Sequence, residues 1–125
     1  FVGFETGSKA YGIRELEAWG YEVFATSDDG SLGHQGFPTD LLAEKLKPED
    51  TLYACGPLAL LLSVKALGKA LGTSTYVSLE EHMACGIGAC SGCPVKSSQG
   101  GYLKVCKDGP VFNVNQVILE GEVES

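Results

Sequence analysis

The chain has 125 residues, of which 44% are apolar, and it carries a formal net charge of −7. That length provides the core of one medium domain or two small ones, and its 17 glycines are too many for a plain helical bundle. Because the charge is negative and no run of Lys or Arg occurs, nucleic acid would be repelled and is excluded as a partner. The longest apolar stretch, residues 57–64, is too short to span a bilayer, so no membrane partner is expected.

The first half of the chain alternates strand patterns with helix patterns. Strands are predicted at residues 1–4, 21–26 and 51–55. Helices are predicted at residues 8–19, 39–47 and 58–71, with Gly20 and Gly72 as stops and Thr39 as an N-cap. Short connections between alternating strands and helices predict a parallel sheet covered by helices. Three strands are fewer than such a sheet normally has, so strands from a longer chain or another chain are expected to complete it.

The pattern changes near residue 74, where we place a domain boundary. A strand at residues 75–79 leads into a cysteine loop, and a hairpin follows, with strands at 93–96 and 102–106 turned at 99–101. The predicted fold class is therefore α/β: a partial parallel sheet at residues 1–74, then a small, mainly β domain at 75–125. A start without Met inside a strand pattern suggests a processed or truncated piece of a longer protein.

Four of the five cysteines follow the spacing Cys-x4-Cys-x2-Cys-x12-Cys, and they are Cys85, Cys90, Cys93 and Cys106. The first three have the spacing of plant-type ferredoxins, which hold a 2Fe–2S cluster, and the fourth ligand arrives from elsewhere in the chain. Such a cluster needs four thiolates and inward-facing backbone N–H groups. Gly86, Gly88 and Gly92 permit the close backbone approach that this loop requires. The four cysteines are the predicted metal ligands, and the predicted chemistry is single-electron transfer.

The same cysteines suit other kinds of site less well than a cluster. A structural zinc site normally combines two Cys-x2-4-Cys pairs, whereas Cys106 stands alone, and a zinc-stabilised interaction module is the alternative from another class. A redox dithiol at Cys90 and Cys93 follows no βαβ pattern and leaves Cys85 unexplained. An odd number of cysteines without a secretory signal argues against a disulfide framework and predicts a reducing, cytoplasmic location.

Polar or reactive residues follow each of the three predicted strands. Ligands gather at the carboxyl ends of strands in α/β sheets, and the candidates are Glu5 and Thr6, the loop 28–36, and Cys55. Cys55 equally suits a small core residue. Asp28, Asp29 and His34 equally suit an ordinary solvated turn.

Residues 77–93 (VSLEEHMACGIGACSGC) and 105–112 (VCKDGPVF) resemble the iron–sulfur subunit of class 1B dihydroorotate dehydrogenase, within the ferredoxin-reductase superfamily. Residues 26–31 and 54–57 match the same family, so the resemblance covers essentially the whole chain. It implies that the four clustered cysteines ligate the 2Fe–2S cluster. It also implies cofactor contacts from Cys55, Gly56 and Pro57 beside the nicotinamide and from Asp29 and Gly30 near the nucleotide.

In that family a β-barrel binds FAD, an α/β domain takes NAD and a C-terminal domain carries the cluster. Electrons from dihydroorotate, taken up at FMN in a partner subunit, pass through the cluster to FAD and then to NAD⁺. The resemblance implies an electron transfer subunit in pyrimidine biosynthesis, forming a hetero-oligomer with the FMN-containing dihydroorotate dehydrogenase catalytic subunit.

Two family features have no counterpart in this sequence: the FAD-binding barrel and the glycine-rich pyrophosphate loop of the ferredoxin-reductase-type NAD domain. The chain alone is therefore expected to bind neither FAD nor NAD well, to carry no catalytic residue and to be inactive by itself. A subunit of a related NAD(P)H-dependent ferredoxin, sulfite or hydrogenase-type reductase would share the cysteine loop and is the second alternative.

Overall fold

The structure, a computed structural model, describes residues 1–121. The chain forms two compact units, Phe1–Leu46 and Lys47–Ser125. Among the helices of residues 1–121, none combines the length and the apolar character needed to cross a bilayer. The predicted α/β class is confirmed, because parallel strands alternate with helices in both units.

The first unit is a three-stranded parallel sheet with two α-helices and a short 3-10 helix. Its strands, in the order β1-β2-β3, are β1 Val2–Phe4, β2 Ala25–Ser27 and β3 His34–Gln35. The helix predicted at residues 8–19 is instead a 3-10 helix, Gly7–Lys9, followed by α1, Ile13–Ala18. Gly12 separates the two because its φ of 77° is left-handed, which interrupts a right-handed helix.

The second helix of this unit, α2, spans Pro38–Lys45. The prediction that Thr39 caps it is wrong: Phe37 occupies the N-cap, and the Asp40 carboxylate accepts a hydrogen bond from the Phe37 N–H at 2.8 Å. Proline suits the first helical position because its missing N–H would have no partner there. The cap therefore comes from the side chain at the third helical position rather than from a hydroxyl before the helix.

The second unit contains two sheets, a long helix and a short helix. Its elements are β4 Thr51–Cys55, α3 Leu58–Leu71, β5 Ser74–Ser78, β6 Pro94–Ser97, β7 Tyr102–Lys104, α4 Val105–Asp108, β8 Val111–Asn113 and β9 Val117–Ile118. Strand β5 pairs in parallel with β4 and antiparallel with β8, while β6 lies between β7 and β9. The predicted hairpin is confirmed, but its second strand ends at Lys104, so Cys106 lies in α4 instead.

The core of the second unit draws on both sides of residue 74. Leu61 of α3, Val77 of β5, Val105 of α4 and Phe112 of β8 belong to one buried apolar cluster. The sheet β4-β5-β8 likewise joins residues before and after that position. The domain boundary near residue 74 stays a prediction.

Gly68 determines how closely α3 approaches β5. It lies buried in the helix, and a Cβ there would come within 2.0 Å of the Thr75 Oγ1 atom. Overpacking costs about 1–3 kcal/mol, while alanine gains about 1 kcal/mol in helix propensity over glycine. Because the added Cβ would come so close to Thr75, we expect the overpacking cost to exceed the propensity gain and G68A to lower the free energy of unfolding by up to about 2 kcal/mol in chemical denaturation. The matched variant K69A, at the exposed neighbouring position, should leave it nearly unchanged; equal stability of the two variants would contradict the close approach.

Candidate metal centre

The hairpin brings Cys93 and Cys106 together although they lie 13 residues apart. Pro94 and Lys104 face each other in the β6–β7 ladder, and the Val105 N–H donates to the Cys93 carbonyl at 3.0 Å. As a result, the Cys106 N–H lies 3.5 Å from the Cys93 Sγ. The predicted return of the fourth cysteine to the third is therefore present in the fold.

The loop between β5 and β6 brings Cys85 and Cys90 together. The Cys90 N–H donates to the Cys85 Sγ at 3.3 Å, and the Gly92 N–H donates to the Cys90 Sγ at 3.4 Å. Gly86 and Gly88 have φ values of 68° and 79°, which L side chains rarely adopt. The predicted need for glycine is thus confirmed at these two positions, whereas Gly92 has no positive φ and contributes its N–H.

The protonation of two thiols reflects this geometry. The N–H groups of Cys90 and then Ile87 face the Cys85 sulfur and lower its pKa to about 6, because hydrogen bonds favour the thiolate. The neighbouring Cys93 thiol raises the pKa of Cys106, while the Gly88 N–H, which also faces the Cys106 sulfur, acts in the opposite direction. The sulfurs therefore form two contacting pairs, Cys85 with Cys90 and Cys93 with Cys106.

The pairing distinguishes between two kinds of metal centre. A structural zinc ion needs four ligands around one point. A 2Fe–2S cluster needs two ligands on each of two irons. All five cysteines are free thiols. Two pairs of thiols, each with backbone N–H groups facing a sulfur, fit the ligands that a 2Fe–2S cluster needs.

Cys55, Gly56 and Pro57 lie between the end of β4 and the start of α3. Cys55 is exposed, so its interpretation as a small core residue is wrong. Gly56 lines a groove of about 750 Å³ together with Leu79 and Tyr102 of the same unit. Binding of a nucleotide by these residues stays a prediction.

Asp29 and Gly30 lie where β2 ends, and their loop joins the residues after β1. The Asp29 carboxylate accepts hydrogen bonds from the Ser31 N–H at 3.0 Å and the Ser31 hydroxyl at 2.5 Å. Ser31 Oγ in turn accepts the Gly7 N–H at 2.7 Å and lies 3.2 Å from the Thr6 hydroxyl. The structure thus brings two of the three predicted strand ends together, and a cofactor role for Asp29 and Gly30 stays a prediction.

Asp29 gives a pH-dependent test of this loop. The Ser31 hydroxyl and N–H lower the pKa of Asp29 from 3.8 to about 2. Because the folded pKa is depressed, the stabilisation is complete above the unfolded value and is lost as the pH falls through about 2. We expect ¹³C NMR of the carboxyl to show this titration, and S31A to raise the pKa towards its ordinary value. The control S8A, at an exposed serine of the same unit, should leave it unchanged; an unaffected pKa in S31A would contradict the hydrogen bonds.

One contact at the cysteine loop was not predicted from the sequence. The Lys104 ammonium donates to the Gly88 carbonyl at 2.6 Å. The spacing of the cysteines carries no signal for it, because the reach of a long side chain depends on the register of the hairpin.

Residues 80–118 match the family model described as the iron–sulfur cluster binding domain of dihydroorotate dehydrogenase B. That segment contains all four clustered cysteines. The resemblance inferred from residues 77–93 and 105–112 is thereby confirmed. The matched family is one that binds an iron–sulfur cluster.

Curated relatives extend the similarity over most of the chain. Proteins named dihydroorotate dehydrogenase B (NAD(+)), electron transfer subunit, are 44% identical over 119 residues in Listeria welshimeri, 43% over 121 in Geobacillus thermodenitrificans and 40% over 121 in Bacillus velezensis. Each alignment covers 94% of this chain and 46% of the relative. The chain therefore spans about half the length of the curated relatives that it matches.

A solved structure shares the fold. The NADH-dependent reduced ferredoxin–NADP oxidoreductase, reported in a study of flavin-based electron bifurcation, superposes with a TM-score of 0.78 at 27% identity. The match covers 94% of this chain and 43% of that protein. The expected similarity to ferredoxin-reductase-type proteins is thus confirmed at the level of the fold.

Proposed function

We propose that this chain is the cluster-bearing part of an electron transfer subunit. Cys85, Cys90, Cys93 and Cys106 hold a 2Fe–2S cluster, through which electrons pass between an FMN-containing dihydroorotate dehydrogenase catalytic subunit and FAD and NAD⁺, in pyrimidine biosynthesis. The observation that carries this proposal is the presence of two pairs of thiols, Cys85 with Cys90 and Cys93 with Cys106, within the segment that matches the cluster-binding family.

When bound, the cluster supplies reversible one-electron chemistry. The chain contributes sulfur ligands and backbone N–H groups that face them, which stabilise the negative charge of a thiolate-bound cluster. The β6–β7 ladder and the buried Val105 hold Cys93 and Cys106 in place. Ligands fixed in this way move little when the charge of the site changes.

Access to the site fits exchange of electrons with other proteins. Cys93 is buried, the other three clustered cysteines are half-buried, and Ile87, in the loop between Cys85 and Cys90, is 78% exposed. A redox partner can therefore approach the loop side of the site. The relatives are named as NAD⁺-linked electron transfer subunits, which supports a hetero-oligomer and NAD⁺ as the acceptor. Free thiols support a reducing, cytoplasmic location.

The remaining assignments follow from the resemblance. Residues 1–74 are proposed as part of a nucleotide-binding domain that includes Asp29, Gly30, Cys55, Gly56 and Pro57, and residues 75–125 as the cluster domain. The FAD-binding part is proposed to belong to the full-length protein.

Anaerobic purification of the full-length protein tests the proposal. Iron and acid-labile sulfide in equal amounts, with visible absorption that bleaches on reduction, are expected. The complex with the catalytic subunit should then form NADH from dihydroorotate. A colourless protein containing zinc would overturn the cluster, and a complex that turns over sulfite or hydrogen instead would overturn the orotate assignment.

A further inference from the structure

Lys104 connects the hairpin to the loop that carries the first two clustered cysteines. Its backbone is fixed twice, by pairing with Pro94 and by donation of its N–H to the Asp108 carboxylate at 2.7 Å. From this position its side chain is half-buried, and the ammonium reaches the Gly88 carbonyl at 2.6 Å. A short, charge-assisted hydrogen bond therefore joins two segments that are 16 residues apart.

The bonded carbonyl belongs to the peptide unit between Gly88 and Ala89. The N–H of the adjacent peptide, that of Cys90, donates to the Cys85 Sγ at 3.3 Å. The carbonyl that Lys104 holds therefore lies one peptide away from the N–H that bonds the Cys85 sulfur.

Glycine leaves this part of the loop adaptable. Gly88 has a φ of 79°, and glycine samples both signs of φ with little steric penalty. The backbone at Gly88 therefore adds little rigidity of its own, and the contact from Lys104 to the Gly88 carbonyl restrains it.

We propose that Lys104 is a positioning residue for the cluster: its ammonium restrains the Gly88 carbonyl and so holds the adjacent Cys90 N–H against the Cys85 sulfur. The inference deepens the proposed function and rests on it for the identity of the cluster. The restraint itself is a property of the protein chain, because both hydrogen bonds involve protein atoms alone.

Lys107 offers a matched control. Its side chain also lies beside Gly88, since a Cβ on that glycine would come within 2.8 Å of the Lys107 Cδ. In the described part of the chain the Lys107 ammonium has no hydrogen-bond partner. K104M removes a charge and the hydrogen bond, K107M removes a charge alone, and K104R keeps both charge and donors.

The first measurement uses the full-length protein with its cluster loaded. We expect K104M to lose the cluster to a chelator about tenfold faster than wild type, the usual scale for losing a group that orients a ligand shell. The EPR g-values of the reduced cluster should also move in K104M. K107M should lose the cluster at close to the wild-type rate, and K104R should restore most of the stability. Equal loss rates and spectra in K104M and K107M would overturn the inference.

The second measurement uses the same proteins without the cluster. Hydrogen exchange at the Cys90 amide, which bonds the Cys85 sulfur, should be about tenfold faster in K104M than in K107M, since a charge-assisted contact that orders the loop is gone. Unchanged exchange at β6 amides shows that K104M is folded. If wild type forms no cluster, the proposed function fails, yet this exchange still tests Lys104; equal exchange at Cys90 in both variants would overturn its role.

Discussion

C106S is expected to abolish the visible absorption of the purified protein and to remove most of its iron, whereas C55S retains both. Cys106 is the one clustered cysteine outside the loop, and its N–H lies 3.5 Å from the Cys93 sulfur. A serine hydroxyl is a poor substitute because the thiolate is the metal ligand. Cys55 is the matched control, since it is an exposed free thiol outside the cluster segment.

Absorption spectra and iron analysis of anaerobically purified full-length variants provide the measurement. Loss of colour in both variants would indicate that the effect is not specific to the site. Full retention of iron in C106S would contradict its role as a ligand.

F112A is expected to lower the free energy of unfolding by about 3–5 kcal/mol, the usual effect of removing a buried aromatic ring. Phe112 is 3% exposed, faces Val77 across the β5–β8 ladder and covers Gly109, where a Cβ would lie 2.4 Å from the ring. Gly109 directly follows α4, which carries Cys106. The lost packing should therefore also accelerate loss of the cluster.

Y102A is the control for this variant. Tyr102 also belongs to the second unit but is 71% exposed, so its truncation should change stability by no more than about 0.5 kcal/mol. Chemical denaturation followed by circular dichroism gives both values. Similar destabilisation by the two variants would show that Phe112 contributes no more than an exposed ring.

Local sequence features, above all the positions of glycines, correctly predicted where a helix ends and where a hairpin turns. The stop at Gly72 is present as a left-handed residue with a φ of 71°, and α3 spans the predicted residues. The hairpin also formed where glycines 100 and 101 were expected to turn it, and both have positive φ. In each case a glycine adopts a conformation that other residues rarely adopt, so the local sequence is sufficient.

Features that depend on tertiary surroundings were predicted less well. The cap of α2 comes from Asp40 rather than Thr39, because the N-cap position lies two residues earlier than predicted, at Phe37. Cys55 is exposed although the strand pattern allowed burial. The contact of Lys104 with Gly88 depends on hairpin register and on the path of an irregular loop. The spacing of the cysteines in the sequence predicted the four metal ligands. Their division into two pairs depends on contacts that only the folded chain provides.

The position of β5 in the middle of its sheet determines where a shortened fragment that keeps the four cysteines should start. This strand exchanges hydrogen bonds with β4 on one side and β8 on the other, and Leu61 of α3 shares its apolar cluster. A gene fragment starting at residue 75 would strip β5 of one neighbour and leave Val77 partly uncovered. Cloning from Lys47 onwards keeps the scaffold around the sulfurs intact.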